Sequence, residues 1–328
     1  MSGGAIACLG AGRMARGIAV AFAYAGRAVT MIDLKARDEA GHARATAEAL
    51  AEVRDTLAAL AGLGLVPPAA VEGIAARVSV AREAGAGPLL GSAEAIFECV
   101  PEVPDVKREV LARASRLAGP QSVLASTTST ILVDDLAGAC AHPERFLNAH
   151  WLNPAFLIPL VELSPGAATS PEATARLKGL LEAAGKVPVV CAARPGYIVP
   201  RIQALAMNEA ARMVEEGVAS PADIDKAIRH GFGVRFAVLG MLEFIDWGGG
   251  DILYHASRYL TRALESGRYA APEIVERNVA EGRIGLKTGQ GFLDYTSLDR
   301  EAYRRQRLAA FAALLGHLGL LPPPVLPK

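Results

Sequence analysis

The chain has 328 residues, 52% of them hydrophobic and 21% charged, which leaves room for two domains and a substantial core. Its 34 basic and 34 acidic side chains cancel, so there is no electrostatic reason to expect a nucleic acid or an anionic membrane as partner. The four cysteines (Cys8, Cys99, Cys140, Cys191) are scattered through apolar runs without a C-x-x-C pair, as expected of free thiols in a reducing compartment. The first apolar run, residues 5–9, is too short for a secretory signal core and lacks a basic leader. No stretch approaches the about 20 apolar residues that span a bilayer. The expectation is a cytoplasmic protein without a metal.

In chain order, residues 5–9 form an apolar strand that runs directly into Gly10-Ala11-Gly12-Arg13-Met14-Ala15-Arg16-Gly17. A helix through residues 18–23 and a second strand ending at Asp33 complete a β-α-β unit. This is G-x-G-x-x-A in the setting that binds dinucleotides. Gly10 permits the tight turn. Gly12 lets a pyrophosphate approach the helix N-terminus, where the backbone N–H groups of Arg13 and Met14 lie. Ala15 still allows close helix–strand packing. Asp33 is placed to accept hydrogen bonds from an adenosine ribose, and its charge opposes a 2′-phosphate, which favours NAD over NADP. Lys35 and Arg37, close behind, work against that preference.

Residues 36–76 read as two alanine-rich helices broken at Gly62-Leu63-Gly64 and Pro67-Pro68, the long crossover of a doubly wound sheet. Strands follow at 77–80 and 95–98, then a helix from Val103 and another strand at 122–125. That strand ends in five hydroxyl residues, 126–130. The run reads either as a ligand-facing strand end or as a turn capping the helix at Val133.

Residues 146–165 (F-L-N-A-H-W-L-N-P-A-F-L-I-P-L-V-E-L-S-P) read as two apolar strands interrupted at Asn153-Pro154. His150 closes the first and Glu162 lies inside the second. Ionisable groups in buried strands need a partner or a task. A helix (171–184) and a strand (187–191) precede a boundary at Arg194-Pro195-Gly196. Beyond it the apolar period changes from 2 to 3.6. The fold expected is α/β, a Rossmann-type doubly wound sheet over 1–195, followed by an all-α domain over 196–328 punctuated at Gly231-Phe232-Gly233 and Gly248-Gly249-Gly250.

The H-x-x-N-P motif at His150–Pro154 and the glycine-rich run 282–292 (G-R-I-G-L-K-T-G-Q-G-F) resemble the 3-hydroxyacyl-CoA dehydrogenase family. The spacings of that family's glutamate and serine relative to its histidine fall on Glu162 and Ser129. The resemblance implies an NAD-dependent oxidoreductase acting on an alcohol CH–OH, with cofactor contacts from Glu102 and Lys107. It also implies a helical domain that closes on substrate and makes a homodimer. The chemistry agrees with these positions: His150 takes the hydroxyl proton, Glu162 orients the ring, and Ser129 donates to the reacting oxygen. Asn153 is expected to fix the loop around the histidine and to contact substrate.

Two departures and one addition bear on substrate. The acyl-CoA enzymes carry an asparagine after P-G-F-I/V-x; here Pro195-Gly196-Tyr197-Ile198-Val199 leads into Pro200, which has no donor. Residues 36–76 contain no lysine for a CoA phosphate, although Arg37, Arg44 and Arg54 are present. Residues 231–237 (G-F-G-V-R-F-A) resemble the branch that includes gulonate and carnitine dehydrogenases, and Arg235 there suits a free carboxylate. A relative acting on pyridine-ring aldehydes in vitamin B6 degradation is the alternative dehydrogenase. A non-catalytic NAD-binding protein is the alternative of another class. The phosphogluconate-like dehydrogenases want a lysine on the first helix of the second domain, and residues 197–213 have none.

Overall fold

The computed structural model describes residues 4–324. The first of its two compact units, Met1–Met207, is built on one sheet. Its strands are β1 (Ala5–Leu9), β2 (Val29–Asp33), β3 (Val78–Arg82), β4 (Ala93–Glu98), β5 (Val123–Ser126), β6 (Phe146–Trp151), β7 (Leu160–Pro165) and β8 (Val187–Val190). They lie in the order β3-β2-β1-β4-β5-β6-β7-β8, and every neighbouring pair is parallel except β6 and β7. This is the doubly wound arrangement that the β-α-β reading predicts.

Helices α1 (Arg13–Tyr24), α2 (Glu39–Gly62), α3 (Val71–Ala75), α4 (Ala86–Ser92), α5 (Pro104–Leu117), α6 (Val133–Ala137) and α7 (Pro171–Ala183) connect the strands. Alternation along β1 shows why two layers form. Ile6 and Cys8 pack in one core with Phe22, Phe97 and Trp151; Ala7 and Leu9 pack in the other with Leu111 and Phe146. As expected, α2 stops at the 62–64 break, where Gly64 takes a positive φ.

Helix α8 (Val199–Glu215) begins in the first unit and ends in the second, Asn208–Lys328. The second unit continues with α9 (Pro221–Ala227), α10 (Gly233–Val238), α11 (Met241–Gly248), α12 (Gly250–Ala263), α13 (Glu273–Ala280) and α14 (Arg300–His317). Gly231-Phe232-Gly233 does not interrupt the chain as its glycines predict. Residues 228–232 form a π-helical turn that carries α9 into α10. Gly249, at φ +110°, makes the tight turn between α11 and α12.

The 282–292 motif wraps around buried Asp246 of α11. The Asp246 carboxylate accepts the N–H groups of Phe292 (2.9 Å) and Leu293 (2.8 Å), and its carbonyl accepts that of Leu286 (2.8 Å). A Cβ on Gly285 or Gly291 would stand 2.3 Å and 2.0 Å from Asp246 atoms, which is why these positions must be glycine.

Candidate active site

The antiparallel register sets His150 directly opposite Glu162. Both side chains are buried, and His150 Nδ1 lies 2.8 Å from Glu162 Oε2. The other oxygen, Oε1, accepts the N–H groups of Ile198 and Val199, each at 2.9 Å, at the start of α8. Burial alone raises a carboxyl pKa, but the His150 hydrogen bond and these two N–H donors outweigh it and hold Glu162 below the ordinary glutamate range. An ionised Glu162 fixes the proton of a neutral imidazole on Nδ1 and leaves Nε2 without one. Tyr197 stacks on the imidazole, with ring centroids 4.8 Å apart and planes 16° apart. Pro200 follows in the first turn of α8 and offers no donor.

Ser129 sits exposed beyond the end of β5, and among the described residues no hydrogen bond joins it to His150. The hydroxyl-rich turn does not cap α6. It wraps Glu102, whose Oε1 accepts the N–H groups of Ser129 (2.9 Å) and Thr130 (3.1 Å) and the hydroxyls of Thr128 and Thr130. Burial opposes the charge, but these donors and Lys107 bring the Glu102 pKa down to about 2. Lys107 is itself buried, with Nζ 2.9 Å from Glu98, 3.2 Å from Glu102 and 3.3 Å from the Val100 carbonyl. Its three hydrogens go to protein oxygens. Through these contacts Lys107 supports Glu102. Glu98, a carboxylate at the end of an apolar strand, is the trace of this network in the sequence and lies outside the motifs.

Gly10 takes φ +108°, and a Cβ there would meet the Cys99 carbonyl at 3.3 Å. Gly12 has open space where a Cβ would be, ahead of the Arg13 and Met14 N–H groups that the first turn of α1 leaves without helical acceptors. Buried Ala15 packs the helix against the sheet. A cavity of about 790 Å³ runs along this loop to Asp33. These features fit a dinucleotide: positive φ at the turn, room at Gly12, free N–H groups and an acid at the end of β2. Asp33 accepts from Arg37 Nε (3.1 Å) and from the Lys35 N–H (3.3 Å), and His42 Nδ1 lies 3.2 Å away. Burial works against its charge, but the His42 and Lys35 hydrogen bonds and the charge of Arg37 keep it below the ordinary aspartate range. The His42 contact, nine residues from Asp33 on α2, had no signal in the sequence.

Asn153 is exposed, and its side chain makes no hydrogen bond among the described residues, so it does not fix the loop as its motif predicts. That work falls to Lys186. This buried ammonium donates to the carbonyls of Ala155 (2.7 Å) and Ile158 (2.9 Å) and lies 5.6 Å from the centre of the Trp151 ring. The loop then packs on α1 at Gly17, where a Cβ would come within 3.2 Å of Ala155. Asn153 instead lines a cavity of about 360 Å³ with Arg13, Thr56 and Phe156. In the second unit Arg235 is exposed, its guanidinium 5.6 Å from the centre of the Phe244 ring.

Comparison with known proteins agrees with this layout. The NAD-binding domain of 3-hydroxyacyl-CoA dehydrogenase matches residues 5–194, and the C-terminal domain of the same enzyme matches residues 196–295. The chain belongs to the 3-hydroxyacyl-CoA dehydrogenase family. It is an NAD-dependent oxidoreductase of that family.

A 5-formyl-3-hydroxy-2-methylpyridine 4-carboxylate 5-dehydrogenase from Mesorhizobium japonicum is 31% identical over 94% of this chain and 96% of its own length. A 3-hydroxyadipyl-CoA dehydrogenase from Escherichia coli is 32% identical over 90% of this chain, which spans 60% of that protein. Among solved structures, a 3-hydroxyacyl-CoA dehydrogenase from Archaeoglobus fulgidus superposes with a TM-score of 0.77 at 30% identity, covering 97% of this chain and all of the other. Helix α14 lies beyond residue 295, where the match to the family's C-terminal domain ends, and packs on α10; its Arg307 pairs with Glu243 of α11 at 2.7 Å. Among the described residues no helix is long and apolar enough to cross a membrane.

Proposed function

We propose that this protein oxidises the hydroxyl of a small 3-hydroxy acid or of a 3-hydroxyacyl-CoA, with His150 as the base. The observation that carries the proposal is the 2.8 Å contact between His150 and a Glu162 carboxylate held ionised by two backbone N–H groups. The bare Nε2 takes the hydroxyl proton, and Glu162 stabilises the imidazolium that forms. When bound, NAD supplies the acceptor for the hydride that leaves the same carbon. Gly10, Gly12, Arg13, Met14 and Asp33 hold that cofactor, Glu102 contacts it, and Lys107 keeps Glu102 in place. Ser129 donates to the reacting oxygen as it passes from alcohol to carbonyl.

The division of labour follows the two matched regions: residues 1–195 bind NAD, and residues 196–328 close on substrate and dimerise. Exposed apolar side chains in the helical part, among them Leu205, Met207, Val218 and Tyr259, support the homodimer. A free carboxylate is the favoured substrate group. Residues 36–76 offer no lysine to a CoA phosphate, and both Arg13, beside Asn153, and Arg235 are available to an acid. Pro200 leaves the substrate oxygen without the donor that an asparagine would give. The Mesorhizobium relative supports a second reading, a carboxylated pyridine aldehyde as substrate.

The deciding experiment is thermal-shift and NADH-formation screening with NAD present, using 3-hydroxybutyrate, carnitine, 3-hydroxybutyryl-CoA and the formylpyridine carboxylate. Stabilisation and turnover by free acids but not by the CoA ester is the expected result. Turnover of the CoA ester alone overturns the free-acid assignment, and full activity in His150→Ala removes the histidine from the mechanism.

A further inference from the structure

Two constraints are needed to hold an imidazole as a base. The Glu162 hydrogen bond fixes Nδ1 within the ring plane, but it leaves the ring free to tilt about the Nδ1···Oε2 axis. The second constraint comes from Tyr197. Its ring lies 4.8 Å from that of His150 and nearly parallel to it. We propose that Tyr197, tied in place by Asn148 and by the Thr128 carbonyl, is a positioning residue that holds the His150 ring plane. The proposal rests on the reading of His150 as the base.

Each tie has a visible cause. Asn148 and His150 are two residues apart on β6, so both side chains project from the same face of the sheet. Tyr197 spans the two: its ring covers His150, while its hydroxyl accepts from Asn148 Nδ2 (3.1 Å) and donates to the Thr128 carbonyl (2.8 Å). The second hydrogen of Asn148 Nδ2 goes to the Ile131 carbonyl at 2.9 Å. Among the described residues Asn148 Oδ1 is buried without a partner, a cost that an apolar residue here would avoid. The amide earns its place through its two donations.

Tyr197 also has φ +46°, the left-handed region that side chains other than glycine's rarely occupy. Such strain persists where the surroundings over-determine it. Here the same short turn puts the Tyr197 ring on His150 and the N–H groups of residues 198 and 199 on Glu162. One turn therefore grips both members of the pair.

The test is ¹⁵N-histidine NMR of the NAD-saturated protein, which needs no substrate. The His150 signal, one of six histidines, is identified by its loss in His150→Gln. In the neutral form the wild-type ring is expected as a single Nδ1–H species. In Tyr197→Ala the ratio of Nδ1–H to Nε2–H should fall by about tenfold, the equivalent of one lost aromatic pair. Tyr197→Phe and Asn148→Ala keep the ring stack and lose the tie, and should show a smaller fall with a broadened line. Thermal unfolding and NAD titration confirm that each variant is folded. A wild-type His150 signal in both Tyr197→Phe and Asn148→Ala overturns the proposal. The base assignment fails by a different result, undiminished turnover in His150→Gln.

Discussion

His150 and Glu162 face each other across the one antiparallel pair in the sheet, and the turn that opens α8 closes over both. The register, rather than the separation of twelve residues, makes the contact: the intervening loop folds back so that strand partners become chemical partners. Glu162 therefore carries two loads, the ring of His150 on one oxygen and the first N–H groups of α8 on the other.

Glu162→Gln keeps the shape and removes the charge. Turnover is expected to fall by about 10²–10⁴-fold, because the imidazolium loses its counter-charge and the tautomer its bias. NAD affinity should stay unchanged. Steady-state kinetics and cofactor titration separate the two, and a loss confined to NAD binding would count against the pairing.

Asp33→Ser should weaken NAD binding by about tenfold through loss of a charged acceptor for the ribose. NADP binding should strengthen, since Lys35, Arg37 and Arg82 line the small cavity beside Asp33 and would face the 2′-phosphate. Parallel titrations with both cofactors decide this. Unchanged preference would mean that the ribose is held elsewhere.

Lys186 is buried between two carbonyls, with no ion-pair partner among the described residues, and burial lowers its pKa. Lys186→Met removes a buried charge but strands both carbonyls, and a net loss of about 2 kcal/mol is expected. Since the loop it holds joins β6 to β7, turnover should fall in the folded variant as well. Denaturant unfolding and kinetics on the same preparation test both effects.

Glu102 has its pKa held at about 2, below the ordinary 4.5, so its folded-state value is depressed. The stabilisation it provides is fully present above about pH 4.5 and is lost as pH falls from there toward 2. Glu102→Gln should flatten that part of the acid unfolding curve and leave neutral-pH stability reduced. An acid limb identical to wild type would show that the 128–130 turn does not depend on the charge.

Asp246→Ala leaves the N–H groups of Phe292 and Leu293 unpaired. A destabilisation of about 2–3 kcal/mol is expected, with faster amide exchange concentrated in residues 282–295. Uniform exchange across the chain would argue that the motif is held by its glycines alone.

Periodicity and turn chemistry were enough to read the sheet, the glycine loop, the change to helices past 195 and the two strands around Asn153-Pro154. These are local properties: apolar alternation, a positive φ at Gly10 and a proline that cannot continue a ladder leave traces within a few residues. The same local reading misjudged Gly231-Phe232-Gly233, because packing in the second unit keeps those glycines helical. It misjudged Asn153 as well, because the group that secures its loop, Lys186, is more than thirty residues away in the chain.

The sequence by itself determined which ionisable groups would lie in apolar strands, and therefore that His150 and Glu162 needed a reason to be there. Only the tertiary structure decided what each one touches. Hydrogen bonds and ring stacking act over about 3–5 Å in space and are indifferent to separation along the chain. The pairs Glu98–Lys107, Asp33–His42 and Asn148–Tyr197 each join a strand to a helix or a turn, and become visible only once those elements pack on the sheet.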